Sequence, residues 1–288
     1  MTITIFTPTF NRAYRLPALY ESLVQQTNKD FEWVIVDDGS TDRTEDIVKE
    51  WIQEEIIHLR YLKQENGGKH SAINRGLEEA IGELFFIVDS DDILTPNAVE
   101  IIKNRYKTIK DDESFCGVCP LKVDKDMNKI GGDFPFATLD CSCLDFRYKY
   151  HITGDMAEVV RTEIFRKFPF PKIDGERFCP EALVWNRMGL QYKFRYTNDK
   201  VYVCEYLSDG LTAKITRIRM QSPVASCICY SEQASMPVPF KIKLKSAINY
   251  WRFWFCPSKD KKPSISLIWW WVMLLGLLMH LYDKTKFN

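Results

Sequence analysis

This 288-residue chain lacks a net charge, since 39 Lys and Arg stand against 39 Asp and Glu. Without a global field nothing argues for a nucleic-acid partner, and any charge-based function must be local. Paired cysteine knuckles are missing too. Nine cysteines are scattered along the chain. Cys116 and Cys119 form one CxxC, and Cys141/Cys143 and Cys227/Cys229 form CxC pairs, whereas a zinc site wants two such pairs in one compact ligand set. The stretch FCGVCPLKV around Cys116 reads instead as a buried strand whose thiols are small core side chains. No secretory leader is legible, because residues 3–6 are apolar but short and a turn-rich segment follows. A reduced, cytosolic setting fits the thiols best. There is no internal repeat and no low-complexity tract. The first apolar run is followed by TPTFNR, not by the glycines of a Walker A or GxGxxG loop, which disfavours a P-loop NTPase and an ordinary Rossmann dehydrogenase.

What is present is an alternation. ITIF (3–6), FEWVIV (31–36), IIHLRYL (56–62) and LFFIV (84–88) are short and almost continuously apolar, the pattern of parallel strands covered on both faces. Between them lie amphipathic stretches over Leu16–Gln26, Thr44–Glu54, His70–Ile81 and Pro96–Ile109. Asp42 and Ser71 suit caps, and Pro96 suits a first helical turn. The pattern predicts an α/β fold, a Rossmann-like, mostly parallel sheet with flanking helices. Residues 114–136 read as a strand and hairpin turning near Asp126–Asn128. RTEIFRKFPFP reads as a short helix stopped by proline, and PEALVWNRMGLQ as a helix entered from Pro180. Three parts are expected: 1–110, 111–211 and 212–288.

The last part changes character. Lys241, Lys243 and Lys245 precede NYWRFWF, and Lys259, Lys261 and Lys262 precede ISLIWWWVMLLGLLMHLY, residues 265–282. An apolar helix of that length, about 27 Å, is short for a bilayer core of about 30 Å. Tryptophans at 269–271 with flanking lysines suit a headgroup interface, and the expectation is a helix lying on a membrane surface. A span, and a buried helix closing the core, are the other two placements.

In open parallel sheets ligands bind outside the carboxyl ends of the strands. Those ends carry TPTFNR (7–12), DDGSTD (37–42) and DSDD (89–92), so three polar clusters fall on one rim. Asp89-Ser90-Asp91 is a DxD whose two carboxylates suit Mg2+ or Mn2+, above all an ion shared with a diphosphate. Asp38 is placed to accept hydrogen bonds from a base or a sugar hydroxyl, and Asp42 to cap the next helix. Phe10 offers a face for stacking on a base, with Thr7 hydrogen-bonding it. Gly67-Gly68-Lys69 opens a helix, where backbone amides and an ammonium would hold an anion; a surface turn with a solvated lysine is the plainer alternative. Gly76 reads as a close-packing position.

TPTFNR, VIVDDGSTDRT, ENGGKHSAINRGLEEAIGE and FIVDSDD, in this order and spacing, resemble the inverting glycosyltransferases of family 2, over residues 1 to about 110. GDMAEVVRTEIFRKFPFP and GERFCPEALVWNRMG resemble the acceptor half of bacterial members more loosely. The resemblance implies a GT-A fold that moves a sugar from a nucleoside diphosphate, UDP by family habit, to a hydroxyl of a saccharide or lipid-linked saccharide. It implies donor contacts from Thr7, Pro8, Phe10, Asn11, Arg12, Asp38, Lys69, Asp89 and Ser90, and a metal at Asp91 with Asp89. It implies a base at a helix start. Only Glu181 of Pro180-Glu181-Ala182 matches the usual acidic pair, and Asp155 of TGDM is its rival. Trp185 and Arg187 share the Glu181 helix and could line an acceptor pocket. The expected setting is cytoplasmic and peripheral, on the inner face of the cell membrane, in assembly of a surface polysaccharide, lipopolysaccharide or glycan. A nucleotidyltransferase and a non-catalytic nucleotide-sugar-binding protein are the alternatives; the first normally shows a glycine-rich basic loop after strand one, and the second would lack the DxD acids.

Overall fold

The computed structural model describes residues 2–204 and 215–287. Contacts divide the chain into two compact units, Met1–Pro169 with Met188–Tyr206, and Phe170–Arg187 with Leu207–Asn288. The expected boundary at 110/111 falls inside the first unit, and the one at 211/212 lies outside the described residues.

The first unit begins with the expected alternation: β1 (Ile3–Thr9), α1 (Leu16–Val24), β2 (Phe31–Asp37), α2 (Thr44–Glu54), β3 (Leu59–Lys63), α3 (Lys69–Glu79) and β4 (Leu84–Ile87). β5 (Ile93–Leu94), α4 (Ala98–Lys107), β6 (Phe115–Val123), β7 (Thr138–Cys141), α5 (Cys143–Tyr148), β8 (Val159–Arg161) and α6 (Thr162–Phe165) follow, and β9 (Lys193–Val203) completes the unit; α7 (Ala182–Gly189) has six of its eight residues in the second unit. The strands form one sheet in the order β3-β2-β1-β4-β8-β6-β9-β5, with β7 on β9. Pairing is parallel from β3 to β4 and turns antiparallel where β8 joins β4.

Apolar runs make these strands because both faces are covered. All seven residues of β1 and of β2 are buried. On one face Trp33 lies under Tyr20 and Trp51, whose rings stack at 4.4 Å. On the other, Gly76 lets α3 touch β1: a Cβ there would stand 2.2 Å from the Phe6 ring. The hairpin expected near 126–128 is held by Asp124, whose carboxylate accepts the Asp126 and Asn128 amides. Two helix starts differ from expectation. α3 begins at Lys69 behind Gly68, which puts Ser71 inside it, and α4 begins two residues after Pro96.

The second unit contains α8 (Ile215–Gln221), α9 (Pro223–Ser235), α10 (Phe240–Trp254), a 3-10 turn (Leu267–Val272) and α11 (Met273–Phe287). Its core gathers Trp251, Phe253, Trp269 and Val272. The 265–282 segment is thus divided between the turn and α11. Among the described residues no helix is long and apolar enough to cross a membrane.

Candidate active site

Parallel pairing delivers the ends of β1, β2 and β4 to one edge. Thr9 pairs with Asp37, the Asp38 amide donates to Thr9 O at 2.8 Å, and the Val88 amide donates to Phe6 O at 2.8 Å. DSDD therefore begins where β1 and β4 part. Its loop is pinned at its far end by β5, where Ile93 pairs with Val203 and Leu94 with Tyr202.

Tyr202 is fully buried beneath that loop. Its hydroxyl accepts the Asp89 amide at 2.9 Å and donates to Asp92 Oδ2 at 2.7 Å, so a phenol with one donor and one acceptor role is fully satisfied. Lys122 Nζ lies 4.1 Å from the Tyr202 ring centroid, a cation over an aromatic face. Lys69 Nζ meets Asp89 Oδ1 at 2.6 Å. The ledge therefore sets three carboxylates, Asp89, Asp91 and Asp92, against the ammonium groups of Lys69 and Lys122.

This distribution separates the acids. Burial pushes the Asp92 carboxyl up to about 6, with the Asp89 charge adding to it and the Tyr202 hydrogen bond opposing it. Burial would also raise Asp89, yet the charges of Lys69 and Lys122 outweigh it and hold that carboxyl below its ordinary value. Burial works against the charge on Lys122, and Asp89 more than restores it. Asp91 is half-buried and Ser90 buried. Two carboxylates one residue apart fit a small divalent ion only if further oxygens complete its shell, which a bound diphosphate supplies; among the described residues no three His, Cys, Asp or Glu cluster to make an all-protein site.

Two of the residues expected at the donor are engaged within the chain. Thr7 is fully buried and its Oγ1 accepts the Trp33 indole N–H at 2.9 Å. Asp38 is buried, with Oδ1 accepting from Gln64 Nε2 at 2.7 Å and Gly67 N at 2.9 Å, and Oδ2 from Gly68 N at 2.7 Å. The anion expected at the start of α3 is thus the chain's own carboxylate, which ties the end of β2 to the glycine turn. Gly68, at φ +89°, adopts a backbone conformation that favours glycine.

The remaining rim residues are spread unevenly. Phe10 is exposed and Pro8 buried in β1. Asn11, at φ +52°, accepts the Thr41 amide at 2.8 Å while its own amide donates to Ser40 Oγ at 2.8 Å, which joins the first two loops. Arg12 donates to the Tyr14 hydroxyl at 2.6 Å. Asp42 accepts from the Ala13 and Thr44 amides, but the cap position of α2 is Arg43, so Asp42 stands one residue before the cap expected of it.

Asp155 is exposed in the same unit as the ledge, and its charge, like those of Asp92, Lys122 and Asp89, reaches the Cys204 thiol, which burial pushes up first of all. Glu181, Trp185 and Arg187 belong to the other unit. There Arg187 forms a two-pronged pair with Glu232, at 2.8 and 2.6 Å. Sequence reading missed Lys122 and Tyr202. A lysine inside the apolar run FCGVCPLKV was the one available signal; Tyr202 gave none.

The sequence profile of Glycosyl transferase family 2 matches residues 4–132. Glycosyltransferase GlyG of Streptococcus pneumoniae is 29% identical over 224 residues, 70% of this chain and 69% of that protein. Glycosyltransferase GlyA of the same organism is 39% identical over 108 residues, 37% of this chain and 15% of that one. The chain spans about a third of an uncharacterized glycosyltransferase of Nostoc. Among solved structures, S. aureus TarS 1–349 in complex with UDP matches 90% of this chain and 73% of its own, with TM-score 0.62 and 20% identity. Mannosyltransferase PcManGT of Pyrobaculum calidifontis, in complex with GDP-Man and Mn2+, matches 99% and 75%, with TM-score 0.59 and 18% identity. At such identities the structural likeness concerns the fold.

Proposed function

We propose that the chain, whose residues 4–132 match glycosyl transferase family 2, moves a sugar from a UDP-sugar to a hydroxyl acceptor with inversion at the anomeric carbon. The observation that carries the reading is the charge pattern at the end of β4, three carboxylates against two ammonium groups on a loop braced by one buried tyrosine. Complexes of TarS with UDP and UDP-GlcNAc support a uridine donor.

A divalent ion, Mg2+ or Mn2+, would be held by Asp91 and Asp89 with diphosphate oxygens, and when bound it offsets the charge that grows on the leaving group. The Mn2+ in the PcManGT complex supports this choice. Lys69 stands where it can pass from Asp89 to the diphosphate, and Lys122 keeps the ledge from excess negative charge. Phe10 offers an open aromatic face to the base, with Asn11 and Arg12 shaping that loop. A carboxylate opposite the leaving group takes the acceptor proton during attack. Asp155 and Glu181 are the two candidates, and Asp155→Asn and Glu181→Gln variants decide between them by which one abolishes transfer while leaving UDP binding intact. Trp185 and Arg187 are proposed for the acceptor side. The acceptor is a saccharide or lipid-linked saccharide of a surface glycan, met at the inner face of the membrane.

The test is release of nucleoside diphosphate from a panel of nucleotide sugars with Mn2+. Turnover of one UDP-sugar, reduced at least about tenfold in Asp91→Ala, is expected. Unchanged turnover in that variant would remove the metal role. Incorporation of nucleotide into an acceptor would favour a nucleotidyltransferase.

A further inference from the structure

Helix α11 is built inside out. Its buried residues are Gly276, His280 and Asp283, spaced i, i+4 and i+7 on one stripe. His280 Nδ1 lies 3.6 Å from Cys256 Sγ, and Asp283 Oδ1 accepts from Arg252 Nη2 at 2.7 Å. Gly276 lets the helix sit on α10, where a Cβ would come within 2.3 Å of Trp251 Cβ. The opposite side carries Leu274, Leu275, Leu278, Leu281 and Tyr282, each at least 47% exposed. The preceding turn repeats the arrangement: Trp269 and Val272 point into the core, while Trp270 and Trp271 are 52% and 63% exposed. A helix facing water puts its polar stripe outward; this one hides it, and a contiguous apolar face of this size marks a contact surface.

The surroundings say what covers it. Residues 240–287 contain nine Lys and Arg against Asp260 and Asp283. Asp283 is buried on Arg252, which leaves eight lysines and one carboxylate in this segment. Lys259, Lys261 and Lys262 precede the strip, and Lys284 and Lys286 follow it. A second copy of the chain docked here would set lysines against lysines. A membrane surface with anionic headgroups instead offers hydrocarbon to the leucines, an interface to the tryptophans and charge to the lysines. At 15 residues, α11 is about 22 Å long, short of a bilayer core of about 30 Å.

We propose that the outward face of α11 and its preceding turn is a docking surface for anionic phospholipid, entered by Leu274, Leu278, Trp270 and Trp271 and ringed by the flanking lysines. This deepens the membrane-face part of the proposed function and is independent of the transfer chemistry.

The experiment is flotation of the full chain with phosphatidylcholine vesicles, with and without phosphatidylglycerol, alongside UDP binding as a separate readout. Flotation with the phosphatidylglycerol vesicles is expected, falling about tenfold in Lys284→Glu/Lys286→Glu and in high salt. Leu274→Glu/Leu278→Glu is expected to stay unbound while its circular dichroism and UDP binding match the unaltered chain. Should that pair fail to fold, the lysine pair, which changes exposed positions, decides alone. Chain that fails to float with either vesicle, floats equally with both, or floats unchanged in the lysine pair overturns the proposal. So does a dimer in sedimentation that Leu274→Glu/Leu278→Glu splits, since the face would then belong to a second copy. Loss of UDP binding in the unaltered chain would count against the transferase reading and leave the lipid result standing.

Discussion

The Tyr202 hydroxyl donates to Asp92 Oδ2 at 2.7 Å across 110 positions of sequence, and the same oxygen accepts the Asp89 amide. One phenol from β9 thereby braces both ends of the DSDD loop. Tyr202→Phe keeps the ring under Lys122 and removes only that oxygen. It takes from a buried carboxylate and a half-buried amide the bond that each makes to the phenol, so a stability loss of about 1–3 kcal/mol is expected in denaturant unfolding. Transfer should fall about tenfold, since the loop that carries Asp91 is loosened. Unfolding unchanged within error would contradict the bracing role.

Asp38 accepts three N–H groups with its two oxygens. In Asp38→Asn one oxygen becomes an NH2 that faces a donor. Thermal unfolding should drop by several degrees, equivalent to about 2 kcal/mol, before any effect on catalysis is considered. A variant with normal unfolding but weakened donor binding would return Asp38 to the ligand-contact role expected from sequence.

Much of this was legible in the chain. The runs ITIF, FEWVIV and LFFIV became strands because each is buried on both faces, and Gly76 packs on Phe6 as its place in a helix suggested. DSDD lies at a parallel strand end for the same reason. Other features depend on contacts that no local pattern encodes. Tyr202 and Lys122 join the ledge from strands added after the parallel half is complete. The glycine turn looked open to an anion, and the sequence could not reveal that Asp38, 29 and 30 positions away, already fills it. Apolar content in 265–282 was plain, yet which stripe faces outward is decided by Gly276, His280 and Asp283 meeting α10.

Lys69 is the cation nearest Asp89. If it exchanges that carboxylate for the donor diphosphate, Lys69→Met should raise the donor KM about tenfold with a smaller change in kcat. Lys122→Met should instead lower the Mn2+ concentration needed for half-maximal turnover, because the ledge gains net negative charge and attracts the cation more strongly. Identical kinetics for the two variants would contradict separate roles.

Asp199 on β9 accepts from Arg105 of α4 at 2.6 and 3.0 Å. Burial would raise its carboxyl, but the hydrogen bonds and charge of Arg105 outweigh that and hold it below the ordinary range. A depressed folded value stabilises the fold above the unfolded carboxylate range near pH 4, and that contribution is lost as pH falls on through the folded value. Urea unfolding from pH 7 to pH 3 should therefore cost the unaltered chain more than it costs Asp199→Asn. Parallel losses in both would show that the pair has no part in acid sensitivity.

The central claim is that the acids at the end of β4 take up a divalent ion together with a nucleoside diphosphate. Titration calorimetry of UDP into the chain, with Mn2+ and with a chelator, tests it most directly. Binding with Mn2+ that weakens at least about tenfold with the chelator and in Asp91→Ala is expected. UDP binding indifferent to both, or no binding under any condition, would contradict the account.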